Sequence, residues 1–199
     1  MSSPITVIDS PAFTAALAKL RDLSLRPATV RSTVAELTTL LASDVKPQVE
    51  KGEKIAIIVI LRSGMAMMEP FLSTLSEDLD LVIYHLGLFR EKQTLQPIEY
   101  YNKLPMKSPN IKKAIVLDPV VATGGTAAAA LSILKDWGVE EVNFYCLLAS
   151  TPGLKRVTSV WPEGCSFVVG AQDAELDVKG YVKPGVGDIG DRLFGTALD

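Results

Sequence analysis

Apolar residues along this chain come in two textures, and the switches between them outline its architecture. Residues 55–61, IAIIVIL, form an unbroken β-rich run, as expected of a strand buried on both faces. LVIYHLGLF (81–89), AIVLD (114–118), VNFYCLLAS (142–150) and SFVVGA (166–171) repeat that texture. Between them the spacing turns helical over 65–75, over 125–137 with Gly138 as the stop, and over 151–161, which starts on a proline. Ahead of the first long strand, Ser10-Pro11 joins a capping residue to a proline at the first helical position. Phe13, Leu17 and Leu20 follow at helical spacing over 12–23, and Val30, Val34, Leu37, Leu40 and Leu41 repeat it over 28–45. These two N-terminal helices make a helical layer over residues 1–50, for packing or subunit contact. The polar stretch 90–110, REKQTLQPIEYYNKLPMKSPN, has no helical period and reads as a flexible arm or a hairpin. Strands alternating with helices predict one α/β domain over residues 1–199, with a mainly parallel central sheet flanked by helices.

Composition narrows the class. The chain has 199 residues, 48% of them hydrophobic, so a full core is expected. A net charge of -3 provides no basic footprint for nucleic acid as a main partner. Cys146 and Cys165 lack a CxxC spacing and a neighbouring histidine, so they read as reduced cysteines of a cytoplasmic protein. The single histidine, His85, sits in an apolar stretch, which argues against a histidine-based zinc site or a Ser-His triad. No run is long enough to span a bilayer, and MSSPITVIDS lacks the basic start and apolar stretch of a targeting signal.

The chemistry concentrates between Lys112 and Gly138, where a buried strand stops at Asp118-Pro119 and a helix begins after Ala-Thr-Gly-Gly-Thr. In open α/β sheets, ligands bind beyond the carboxyl ends of strands. Gly124 and Gly125 let a ligand approach the backbone, and the N–H groups opening the next helix suit a phosphate. Thr123 and Thr126 add hydroxyl donors, and Asp118 suits a sugar diol or a hydrated Mg²⁺. No GK[ST] follows, so this is not a Walker loop, and it contains no GxGxxG.

VLDPVVATGGT (116–126) resembles the 5-phosphoribosyl 1-diphosphate (PRPP) loop of phosphoribosyltransferases, in the Asp-Pro form of the uracil phosphoribosyltransferases. LRSGMAM (61–67) is similar to that family's pyrophosphate loop, and GLFREKQTLQPIEYYNKLP (87–105) to its arm over the active site. KGYVKPGVGDIGDRLFGT (179–196) resembles its uracil-binding tail, part of a hood over 171–196. The likeness runs from about Ile55 to Thr196 and is loose over the first fifty residues. It implies a type I phosphoribosyltransferase-like fold with a protruding β-arm, and the pentosyl transfer uracil + PRPP → UMP + diphosphate, a pyrimidine salvage reaction.

By that resemblance, Arg62, Arg90, Asp118, Pro119, Val120, Val121, Ala122, Thr123, Gly124, Gly125, Thr126 and Asp188 bind PRPP. Val182, Gly187, Asp188 and Ile189 line the uracil, and Arg62 and Asp188 carry the catalysis. Mg²⁺ is the implied cofactor, held through PRPP and water rather than by a protein site. A homodimer or larger homo-oligomer is implied, with GTP as an effector known among relatives; neither nucleic acid nor membrane is implied. Lys103 and Tyr101 are lesser candidates on the arm. Asp191 and Arg192 are expected to pair with each other and hold the tail. The plainer alternative for Arg62 is a surface arginine in a salt bridge, and for the tail a mere glycine-rich loop. Two departures stand out: Ile189 replaces the usual alanine, and Lys183 a usual apolar residue. Rival functions are a phosphoribosyltransferase for another base, such as a purine, or a non-catalytic regulator that senses PRPP or UMP.

Overall fold

A computed structural model describes residues 4–45, 52–91 and 97–196. Residues 92–96, the centre of the expected arm, and the Arg90 side chain lie outside the described part. In chain order the elements are β1 (Ile5–Val7), α1 (Pro11–Leu20), α2 (Pro27–Asp44), β2 (Lys54–Leu61), α3 (Met65–Leu72), β3 (Asp80–Arg90), β4 (Pro97–Asn102) and β5 (Ile111–Leu117). There follow β6 (Val120–Val121), α4 (Gly125–Trp137), β7 (Glu141–Ser150), α5 (Thr151–Val157), β8 (Cys165–Asp173), β9 (Glu175–Leu176), β10 (Val182–Lys183) and α6 (Ile189–Phe194).

The main sheet runs β1-β8-β7-β5-β2-β3-β4, with β6 set beside the end of β7. Its pairings are parallel except that of β3 with β4, which is antiparallel. β2 lies mid-sheet, and its side chains alternate between two cores. Ile55, Ile57 and Val59 pack with α1, α2, α3 and α6, whereas Ala56, Ile58 and Ile60 pack with α4 and α5. Both faces of β2 are thus covered, which is why its sequence has no polar break.

Local chemistry fixes the helix starts. The Ser10 hydroxyl accepts the Phe13 N–H at 3.3 Å, and Pro11 occupies the first turn of α1. Gly138 closes α4 in the left-handed region at φ 93°. The N-terminal helices pack onto the first core through Phe13, Leu17, Leu20, Val30, Val34, Leu37 and Leu41.

Of the two forms expected for the polar stretch, its described part takes the hairpin, with Phe89 opposite Ile98 and Arg90 opposite Pro97. Other elements differ from the sequence expectation. β1 was not foreseen; its three residues are all exposed at the sheet edge, too few to show a period. The tail is not wholly a loop either. It ends in α6, six residues whose two apolar anchors, Ile189 and Leu193, are buried against the first core. β2, β5, β7 and β8 all point the same way, so the loops after them gather along one edge of the sheet.

Candidate active site

At that edge, β2 hands the chain to Arg62, Ser63 and Gly64, and β5 hands it to Asp118. The turn into α4 passes through Gly124 at φ 75°, where a Cβ would lie 2.7 Å from the Gly153 carbonyl oxygen. Only glycine meets both demands. Behind the turn, the Ser150 hydroxyl donates to the Ala122 carbonyl and accepts the Gly153 N–H at 2.9 Å. The junction of β7 and α5 therefore clamps the back of the loop and leaves its front free. No side chain caps α4 at Gly124, so the first-turn N–H groups remain available to an anion.

In front of this loop is an open cavity of about 530 Å³. Arg62 and Ser63 form one part of its wall, Asp118 and Val120 through Thr126 another, and Tyr181, Gly187, Asp188 and Ile189 a third. Leu88, Phe89 and Tyr100 of the hairpin complete it. Segments more than a hundred residues apart in sequence thus share one pocket. Pro119 and Val182 are not on the wall. The Pro119 carbonyl instead accepts the N–H groups of Leu147 and Leu148 at 3.0 and 3.1 Å, tying the loop to β7. Val182 is 6% exposed and sits in the first core, while its neighbour Tyr181 reaches the cavity. Sequence reasoning passed over Tyr181, Ser63, Phe89 and Tyr100, although each stands beside or within a quoted motif. Of the arm's lesser candidates, Lys103 lies 5.8 Å from the Tyr101 ring, and neither borders the cavity.

Residues 42–196 match the profile of the uracil phosphoribosyltransferase family. A relative from Dictyoglomus turgidum named uracil phosphoribosyltransferase is 35% identical over 96% of this chain and 99% of its own length. The chain belongs to the uracil phosphoribosyltransferase family. The urg2 protein of Schizosaccharomyces pombe, provisionally given that name, is 49% identical over 98% of this chain and 91% of its own. Among solved structures, the AQ2163 protein of Aquifex aeolicus superposes with a TM-score of 0.85 at 28% identity, covering 98% of this chain and 100% of its own. An orotate phosphoribosyltransferase from Mycobacterium tuberculosis shares the fold, with a TM-score of 0.51 at 11% identity over 81% of this chain and 96% of its own. The type I phosphoribosyltransferase-like fold is therefore the frame for this uracil-branch chain.

The cavity of this family member carries two carboxylates in different settings. Asp118 is 6% exposed, and burial pushes its carboxyl up to about 7 against weaker support from the Ser63 hydroxyl, at 3.3 Å, and the Val120 N–H. Asp188 is exposed and caps α6: Oδ1 accepts the Asp191 N–H at 3.0 Å, and Oδ2 accepts the Tyr181 hydroxyl at 3.3 Å. The expected pair of Asp191 with Arg192 does not form. Both residues lie on α6, where adjacent positions point away from each other. Asp191 instead binds Arg62, Nη2 to Oδ1, at 3.0 Å. Arg192 donates to the carbonyls of Leu20, Val186 and Asp22 at 2.7, 2.6 and 2.6 Å, fastening the tail to the turn after α1.

A second clamp holds the tail. Both Nη atoms of Arg21 bond the Asp173 carboxylate at 2.8 Å, and Nη1 also bonds the Gly185 carbonyl at 2.8 Å. Burial pushes the Asp173 carboxyl up, but the Arg21 hydrogen bonds and charge and the Gly185 N–H outweigh it, so the group lies below its ordinary value. The tail is thereby held from both the front helices and the end of β8. Ile189, 7% exposed, belongs to the apolar cluster with Val186 and Leu193, so the core accommodates its extra bulk. Lys183 is exposed on β10.

Proposed function

We propose that the protein transfers the ribose-phosphate group of PRPP to uracil, giving UMP and diphosphate in pyrimidine salvage. The observation that carries this reading is the convergence of the Asp118–Thr126 loop and the glycine-bearing tail on one cavity. The α4 N–H groups with Thr123 and Thr126 cup the 5-phosphate, and Asp118 accepts the ribose hydroxyls. Gly187 and Ile189 offer main-chain groups to the base. Uracil presents an acceptor–donor–acceptor edge; cytosine reverses part of it and leaves polar groups unpaired, at about 1–3 kcal/mol each.

As the C1–O bond breaks, positive charge grows on the ribose and negative charge on the diphosphate. Arg62 faces the leaving group as a cation with fork geometry, and Arg90 adds charge from the arm. Asp188 opposes the growing positive charge of the ribose. Holding N1 of uracil against C1 is catalysis by positioning, and closure of the hairpin excludes the water that would hydrolyse PRPP.

Oxygen donors of the Asp118 and Asp188 type suit a hard cation such as Mg²⁺. Among the described residues no group of three or more His, Cys, Asp or Glu could hold a metal ion. Pro119 stands where relatives in other branches carry the second acid of a pair, so the diphosphate and waters would hold most of the Mg²⁺, which when bound would supply charge neutralisation to the leaving group. Calorimetry should register Mg²⁺ binding only weaker than about 1 mM without PRPP, the expectation for a site with so few protein ligands; tight binding to the free protein would contradict it.

Ile98 and Tyr101, each 39% exposed, lie on the hairpin off the cavity wall. An apolar patch of this kind supports a homodimer in which a second copy covers it. Sedimentation at the monomer mass throughout the micromolar range would remove that reading. Two buried free thiols, both pushed upward by burial, suit the reducing cytoplasm.

The deciding assay mixes the protein with PRPP, Mg²⁺ and labelled uracil, hypoxanthine or adenine. UMP as the sole nucleotide is the expected product. A purine nucleotide, or saturable PRPP binding with no turnover, would overturn the assignment.

A further inference from the structure

We infer that Asp191, with Thr196, is a positioning residue for Arg62, and that this contact ties the diphosphate end of the cavity to the helix bordering its base end. The inference rests on the transferase reading above. Arg62 leaves the end of β2 with 52% of its side chain exposed, and a long arginine in that position has many rotamers open to it. It is instead held at three points. Nη2 donates to Asp191 Oδ1 at 3.0 Å, Nη1 donates to Thr196 Oγ1 at 3.3 Å, and Cζ lies 5.6 Å from the centroid of the Phe194 ring. The contact is itself braced, because the Thr196 hydroxyl donates to Asp191 Oδ1 at 2.6 Å. All three contacts come from α6 and the two residues after it, and Asp188 caps the start of that helix.

The geometry leaves room for a ligand. A guanidinium has five N–H donors, and the two bonds to Asp191 and Thr196 leave three for phosphate oxygens. At Gly190, a Cβ would lie 3.4 Å from Asp188 Oδ1 and 3.7 Å from Arg62 Nη2. The missing side chain keeps the gap between these two groups open. Two effects of Asp191 oppose each other: its charge repels an anionic ligand, while its hydrogen bond aims the guanidinium at that ligand. Orientation prevails, because the guanidinium it holds already offsets the carboxylate charge.

The test measures inorganic diphosphate binding with Mg²⁺ by calorimetry, together with KM for PRPP and for uracil. It uses the wild type, Asp191→Ala, Asp191→Asn, Arg62→Gln and the Arg62→Gln/Asp191→Ala double variant. Asp191→Ala should weaken diphosphate binding and raise the KM for PRPP by about 10-fold, the scale of one lost charge-assisted arrangement. The uracil KM should stay within about 2-fold, since the tail remains held by Arg21 and Arg192. Asp191→Asn keeps an oxygen acceptor and should recover most of the loss, which also guards against a folding defect in the alanine variant. In the Arg62→Gln background, Asp191→Ala should cost nothing further. Equal losses in both backgrounds, tighter diphosphate binding in Asp191→Ala, or an asparagine variant as weak as the alanine one would each overturn the inference. A wild type that binds diphosphate yet makes no UMP would sink the transferase reading alone, and the variant cycle would still judge Asp191. A wild type that binds no diphosphate would remove both.

Discussion

Asp188→Asn should lower UMP formation by about 100-fold or more, the scale expected when a group aimed at developing charge is removed. The substitution is unusually clean here. Asparagine caps helices about as well as aspartate, so its side-chain oxygen can still accept the Asp191 N–H and preserve the start of α6. The Nδ2 group that replaces Oδ2 is a donor, and the Tyr181 hydroxyl can turn to accept from it. What disappears is a negative charge on the cavity wall, which the proposed reaction sets against the growing positive charge of the ribose. The loss should therefore fall on kcat, with the melting temperature within about 2 °C of wild type, since a preserved cap leaves little stability to lose. Steady-state kinetics beside thermal unfolding measures both. Activity within about 5-fold of wild type would remove Asp188 from the catalytic account.

Asp118→Asn should do two things of opposite sign, because its carboxyl is buried and raised from 3.8 to about 7. Below pH 3.8 the group is protonated in both folded and unfolded chains, and stability is unaffected. Between 3.8 and about 7 the unfolded chain ionises while the folded chain stays protonated, so stability falls as pH rises through that window. Above it the penalty is constant, at most about 4 kcal/mol for a shift of roughly three pKa units. Asparagine carries no such penalty. At pH 8 the variant should melt higher than wild type, by about 5 °C or more, and the gain should vanish toward pH 4.

PRPP binding should move the other way. Ribose hydroxyls donating to Asp118 favour the ionised form, so binding releases a proton below about pH 7, and affinity rises with pH until it levels above that point. Asp118→Asn should lose this rise and bind PRPP about 100-fold more weakly, as expected when the charge is lost and one of the two acceptor oxygens for the ribose hydroxyls becomes a donor. The titration of the 5-phosphate near pH 6 persists in both proteins, so the difference between their profiles isolates Asp118. PRPP affinity within about 3-fold of wild type, at every pH, would show that Asp118 does not hold the ribose.

Much of this architecture was legible before any coordinates. The unbroken run in β2 announced a strand covered on both faces, and the residues of both cores alternate along it. Gly138 marked the end of α4, Ser10-Pro11 the start of α1, and the glycines after Asp118 the turn into α4. These signals survive in sequence because periodicity, caps and turns are set by neighbours within about four residues.

Other features were not legible. α6 has six residues and two glycines just before or within its first turn, so local preference gives no helix there; burial of Ile189 and Leu193 makes it one. Reading the tail as a loop led directly to the mistaken Asp191–Arg192 pair, since only helical geometry turns those neighbours apart. Tyr181 was passed over, and the core position of the Val182 side chain was not foreseen, for a similar reason. Side chains on successive extended residues face opposite ways, and only the packed core reveals which way is inward.

The sequence by itself determined the α/β class, the order of the long strands and helices, and the acid, threonines and glycines of the turn after β5, all of them local properties. Tertiary structure alone decided that Arg62 faces Asp191 rather than open water, that Arg21 and Arg192 fasten the tail, and that Asp118 is buried deeply enough to hold its proton near neutrality. Those outcomes depend on distances between residues far apart along the chain. Such distances are set by how sheet and helices pack, which no short stretch of sequence encodes.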